Sequence, residues 1–112
     1  MSDPERFEAV DRSDAITAGT MRSYVVDGQP VVVVNVDGEL HCLEDRCSHS
    51  RSELSTGTLR GHRLQCPLHG AAFDVRTGEH LGPPAFRGVR SLPVRIRDDV
   101  IEVGLEATES TP

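Results

Sequence analysis

Cys47 and His49 stand two apart in the stretch CSH, and Cys66 and His69 stand three apart in CPLH. Sixteen residues, 50 to 65, separate the pairs. Two thiols and two imidazoles make a strong ligand set for a transition metal. One zinc ion can use all four. Zinc modules, however, usually group like with like, a cysteine pair on one knuckle and a histidine pair on a helix. Here each pair is mixed, and no helical pattern follows. The mixed pairs suit a group with two metals. In a two-iron, two-sulfide cluster each iron needs two protein ligands. One iron can take both cysteines and the other both histidines, so that each segment gives one ligand to each iron. Neutral imidazoles then replace anionic thiolates on one iron, and less negative charge opposes an arriving electron. Such a cluster has a potential of roughly −150 to +300 mV, against about −400 mV for a cluster held by cysteines alone.

Ligands at such spacing need a rigid frame, and the chain supplies short β runs separated by turn signals. Phe7–Val10 is a short apolar-polar stretch. Met21–Val26 ends at Asp27-Gly28, and Pro30–Val36, rich in β-branched residues, ends at Asp37-Gly38. Glu39–Glu44 follows at once, so a tight hairpin is expected there. Further runs are Leu64–Cys66, Ala72–Arg76, Leu92–Arg97 and Val100–Leu105, the last two flanking a turn at Asp98-Asp99. Only Asp11–Ala18 can hold even a turn of helix. The pattern predicts an all-β sandwich or small barrel. Glycine and proline concentrate between 57 and 88, a span that contains CPLH and GPPAFRG (82–88). One domain, 1–112, is expected. Its plain β base covers about 5–42 and 87–105, a loop-rich subdomain covers about 43–86, and 106–112 form a polar tail.

Composition narrows the functional classes. The net charge is −6, and all twelve basic residues are arginine. A nucleic-acid binder would show a basic stripe to neutralise phosphates, so no nucleic-acid partner is expected. Residues 1–14, MSDPERFEAVDRSD, have no apolar core of a secretory signal, and the longest apolar run, VVVV at 31–34, is far too short to span a bilayer. A cytoplasmic protein with no membrane association is expected, and with it reduced thiols. The three cysteines, Cys42, Cys47 and Cys66, are too few for a disulfide scaffold. Cys42, beside Leu40 and Leu43, is expected to be a small buried thiol. His41 and His62 are expected on the surface or half-buried, and His80 at a plain hairpin position.

Cys-x-His, sixteen residues, then Cys-x-x-His resembles the motif of the Rieske iron–sulfur family. The similarity extends beyond the ligands. The stretch CPLHGAAFDVRTGEHLGPPA (66–85) is similar to the second cluster loop, its hairpin and the proline-containing third loop of Rieske domains. CLEDRCSH (42–49), preceded by its Asp-Gly turn, is similar to the first. The resemblance covers roughly 20–105. It implies three stacked antiparallel sheets with a [2Fe-2S] cluster at one tip of the smaller subdomain. It also implies that Cys47 and Cys66 bind the inner iron, and His49 and His69 the outer one.

Departures from the motif separate subfamilies. High-potential members of quinol-oxidising complexes carry an extra cysteine in each loop, where this chain has Ser52 and Leu68. They also carry a serine and a tyrosine whose hydroxyls donate to cluster and ligand sulfurs, where this chain has Ala71 and Phe73. The resemblance therefore implies a potential near the low end, about −150 mV. It is to the free-standing ferredoxins of bacterial aromatic-ring dioxygenases, monomeric one-electron carriers that catalyse no substrate chemistry. Such a carrier takes electrons from a flavin-dependent NAD(P)H reductase and delivers them to a terminal non-haem iron oxygenase. The alternatives are the small Rieske-like subunit of an assimilatory nitrite reductase and a zinc-stabilised binding module.

Overall fold

Two-residue turns set the frame of the computed structural model, which describes residues 6–46, 53–67, 71–81 and 88–104. Asp27-Gly28, Asp37-Gly38 and Asp98-Asp99 all take positive φ, between 53° and 93°. This backbone hand matches the twist of the strands it joins, and aspartate and glycine tolerate it best. The turns join β2 (Met21–Val26) to β3 (Gln29–Val36), β3 to β4 (Glu39–Glu44), and β9 (Val94–Arg97) to β10 (Val100–Gly104).

Three antiparallel sheets result. The first has the order β1-β10-β9, with β1 at Phe7–Arg12. The second has the order β2-β3-β4-β8, with β8 at Ser91–Leu92. The third is β5-β6-β7, at Thr58–Arg60, Arg63–Gln65 and Ala72–Asp74.

The valine run on β3 explains the layering. Side chains alternate across a strand, so a continuous apolar run is stable only where both faces are covered. Val32 and Val34 enter one apolar cluster with Leu43, Leu54, Leu64, Cys66, Ala71, Phe73 and Val75. Val31 and Val33 enter the other with Ile16, Val26, Cys42, Ile101 and Val103. All four valines are fully buried. The second sheet is thus the middle layer, packed on the first sheet through one face and on β5-β6-β7 through the other.

The structure departs from the expected elements in four places. β5 had no sequence signal of its own. Leu92–Arg97 divides at Pro93 into β8 and β9, which belong to different sheets. Asp11–Ala18 holds the end of β1 and a turn rather than helix, with Ile16 buried and its carbonyl accepting from the Asn35 side chain at 2.7 Å. The one helical turn among the described residues is a 3₁₀ turn at Leu54–Thr56.

Candidate metal centre

Cys66 follows β6 and is 2% exposed. Cys47, His49 and His69 lie outside the described residues, as do Ser52, Leu68 and Pro83-Pro84. What the structure shows is how the chain is held on each side of these segments.

Three different devices hold those flanks. The first brackets 47–52. Asp45, the only buried polar or charged residue among the described ones, is 2% exposed. Its Oδ1 accepts from the Ser55 N–H and its Oδ2 from the Ser55 hydroxyl, both at 2.7 Å. Its own N–H donates to the Pro30 carbonyl at 3.0 Å, which ties the staple to β3. The second brackets 68–70, where the Cys66 N–H donates to the Ala71 carbonyl at 2.6 Å. The third brackets 82–87, where the Val89 N–H donates to the Gly78 carbonyl at 2.8 Å and the Leu81 N–H to the Ala72 carbonyl at 2.8 Å. Gly78 sits at φ 85°, and a Cβ there would overlap the Val89 carbonyl oxygen. Glycine is therefore required twice over, by the backbone hand and by the close approach.

The same apolar cluster receives all three flanks: Leu54 after the first segment, Cys66 and Ala71 around the second, and Val89 after the third. Among the described residues, Cys66 shares its cluster with the fully buried Leu54, Leu64, Ala71 and Phe73. A thiolate is expensive in such a place unless a metal takes its charge. This burial, and a donor set of two soft sulfurs and two imidazoles, fit a mixed-ligand iron–sulfur group. Ala71 and Phe73 bring no hydroxyl to it.

A family model for the Rieske [2Fe-2S] domain matches residues 6–93. This chain belongs to the Rieske family. Its cofactor is the [2Fe-2S] cluster of that family. Similar proteins include the ferredoxin component of the naphthalene 1,2-dioxygenase system of Pseudomonas putida, 35% identical over 92 residues, which are 82% of this chain and 88% of that one. The ferredoxin component of biphenyl 2,3-dioxygenase of Rhodococcus jostii is 35% identical over 99 residues, 88% and 92% of the two chains. Among solved structures, the ferredoxin of carbazole 1,9a-dioxygenase from Nocardioides aromaticivorans is 31% identical with a TM-score of 0.83, covering 91% of this Rieske chain and 97% of its own. A chain in a complex of reduced oxygenase and oxidized ferredoxin in carbazole 1,9a-dioxygenase is 30% identical with a TM-score of 0.87, covering 93% and 97%.

The remaining cysteine and histidines of the Rieske chain fall into place by burial. Cys42 is 2% exposed, in the cluster that faces the first sheet. Burial, with the Asp45 charge adding to it, pushes its thiol up to about 12, so it is a neutral packing group near neutral pH. His80 is exposed and bridges Phe73 on the hairpin after β7. His41 and His62 are half-buried, and their rings meet edge to face at 5.9 Å between centroids. Neither that meeting nor the Asp45–Ser55 staple was visible in the sequence. Glu39 and His41, two apart on a strand and hence on one face, were the only local hint of the former. The latter had none.

Proposed function

We propose that this Rieske ferredoxin carries single electrons from a flavin-dependent NAD(P)H reductase to a terminal non-haem iron oxygenase in the catabolism of aromatic hydrocarbons. The observation that carries the reading is the match to ferredoxin components over nearly their whole length, 88% for the Pseudomonas putida relative and 92% for the Rhodococcus jostii one. These relatives favour the dioxygenase setting over the nitrite reductase subunit. Electron transfer, not substrate chemistry, is the activity.

The proposed cluster ligands are Cys47, His49, Cys66 and His69. Support comes from the buried position of Cys66 at the end of β6, and from the bracing on both sides of the segments that carry the other three. The cluster supplies a one-electron couple. The chain holds its ligands, excludes water behind Cys66, and withholds hydroxyl donors at Ala71 and Phe73. Donors to cluster sulfur stabilise added negative charge and raise a potential, so their lack favours a value near −150 mV, at the low end of about −150 to +300 mV.

The proposed division of the domain is a base at about 5–42 and 87–105 and a cluster-binding subdomain at about 43–86. The third sheet, formed wholly within 58–74, supports it. The proposed docking is electrostatic, brief and monomeric, and a net charge of −6 suits basic faces on reductase and oxygenase. A cytoplasmic location is part of the proposal; no helix among the described residues is long and apolar enough to cross a membrane.

Potentiometric titration followed by reduced-state EPR tests the reading. A rhombic signal that titrates near about −150 mV and is lost in His69→Ala is expected. A midpoint above about +100 mV refutes the subfamily. A reduced signal unchanged in His69→Ala refutes the ligand set.

A further inference from the structure

At the start of β4, the end opposite Glu44, a second group of metal-ligating side chains comes together. Glu39 and His41 open β4 on the face turned toward β5-β6-β7. His62 sits in the two-residue turn between β5 and β6, behind Gly61 at φ 58°. Its carbonyl accepts from the Val75 N–H at 2.9 Å, which fixes the turn against the chain leaving β7. One ligand atom from each of Glu39, His41 and His62 lies within 4.8 Å of the other two.

His41 supplies the second observation. Its Nε2 is buried and has no hydrogen-bond partner among the described residues. Glu39 Oε1 stands 3.5 Å from it without making a hydrogen bond. A buried polar atom left in this way costs free energy that a ligand can recover. In tetrahedral coordination with bonds of about 2.0–2.1 Å, ligand atoms are roughly 3.3–3.5 Å apart. The Glu39–His41 separation already has that value. Glu39 is 74% exposed at its side chain, which leaves its carboxylate room to adjust toward the two imidazoles.

The neighbouring charges permit a cation. Asp74 is close enough to His62 to sense its charge, and Arg76 is close enough to sense that of Glu39. Arg76 is a repulsive group here, and Asp74 holds it through two hydrogen bonds of 3.0 and 2.9 Å; Arg60 and Arg63 flank His62 in the chain. Two imidazoles and a carboxylate suit zinc and its borderline neighbours rather than magnesium or calcium.

We propose that Glu39, His41 and His62 form a divalent transition-metal site of the zinc class, which clamps the β3–β4 hairpin to the β5–β6 turn. The site is separate from the iron–sulfur centre. Five steps along β4, from Glu39 to Glu44, span about 16 Å, and four steps from His62 to Cys66 about 13 Å. The clamp fastens the middle sheet to the third sheet at the end remote from Glu44 and Cys66.

The test is titration of the cluster-loaded, tag-free full chain with zinc chloride, followed by calorimetry. One zinc per chain is expected, with iron and acid-labile sulfide retained. His62→Ala and Glu39→Gln should each weaken binding by at least about tenfold, because even the loss of an outer partner of a metal ligand costs about 10–100-fold. His80→Ala should bind as the parent does. Zinc should raise the melting temperature of the parent and of His80→Ala, but not of His62→Ala. No saturable binding overturns the proposal. So does affinity in Glu39→Gln and His62→Ala equal to the parent's, and so does uptake that expels iron.

Discussion

Replacing Asp45 with alanine should destabilise the protein by about 3 kcal/mol or more. The carboxylate is 2% exposed and accepts two bonds of 2.7 Å, one from the Ser55 N–H and one from its hydroxyl. Hydrogen bonds to a charged acceptor contribute about 1.5–3 kcal/mol each, so two are worth at least about 3 kcal/mol. Alanine also leaves the Ser55 donors behind, at a further cost of about 1–3 kcal/mol for each one that water does not reach. One effect runs the other way, since removing the carboxylate relieves its repulsion of a Cys42 thiolate. That relief is negligible near neutral pH, where a thiol pushed up to about 12 carries no charge. Loss of the staple therefore wins. The amide of Asp45→Asn keeps one acceptor oxygen, so this variant should lose about half as much. Urea unfolding of the three proteins, followed by far-UV circular dichroism and by cluster absorbance, measures the effect. A bound cofactor breaks two-state behaviour, so midpoints are compared rather than extrapolated free energies. For a chain near this size, 3 kcal/mol also corresponds to a fall of at least about 12 °C in melting temperature. Release of iron to a chelator should quicken in Asp45→Ala, because the flanks of 47–52 lose their tie. An alanine variant within about 1 kcal/mol of the parent would show that the staple is not what holds these flanks.

Two further outcomes test the frame. Gly78→Ala should be much worse than Gly28→Ala in urea. Both glycines have positive φ, 85° and 78°, which costs an L-residue about 1–2 kcal/mol, but only at Gly78 would the new Cβ overlap a carbonyl, that of Val89; equal midpoints would remove the close approach from the account. Tyr24 is the only tyrosine, and its hydroxyl donates to Asp11 Oδ2 at 2.7 Å. Burial, and then the Asp11 carboxylate, push its phenol from 10.0 up to about 12. The folded state thus holds this proton more tightly than the unfolded chain, and the stability it lends is complete below pH 10 and lost as pH rises from 10 toward 12. Ultraviolet titration should show phenolate appearing near pH 12 in the parent and earlier in Asp11→Asn; coincident curves would deny the pairing.

What the sequence revealed about the fold follows the range of the forces involved. The hairpins at Asp27-Gly28, Asp37-Gly38 and Asp98-Asp99 were legible because a two-residue turn depends on its own backbone chemistry. The valine run was legible as strand because β-branched side chains favour it. β5 was not, since Thr58–Arg60 is short and owes its strand conformation to pairing with β6. The division of Leu92–Arg97 was hidden for a similar reason. An apolar run looks continuous, yet Leu92 pairs with Cys42 in the middle sheet while Val94 pairs with Val103 in the first. Pro93 stands between them, with no N–H to give to either ladder, and so marks the corner where the chain changes sheets.

The same distinction governs the metal chemistry. Cys47 with His49, and Cys66 with His69, can be proposed as ligands from spacing because each pair is local and its residue types have few other uses together. The groups that brace the flanking chain do not announce themselves. Asp45 looks like one acid in an acidic chain until burial sets both its oxygens against Ser55, its side-chain partner among the described residues. His41 and His62 look like ordinary surface or half-buried histidines until the third sheet closes over β4 and leaves Nε2 of His41 without a partner among the described residues. In each case the residue type is plain from the chain, but the cost of burying an unsatisfied polar atom assigns its role, and that cost exists only after the sheets have stacked. Spacing can therefore propose the ligands of such a protein, whereas only packing can identify the groups that support them.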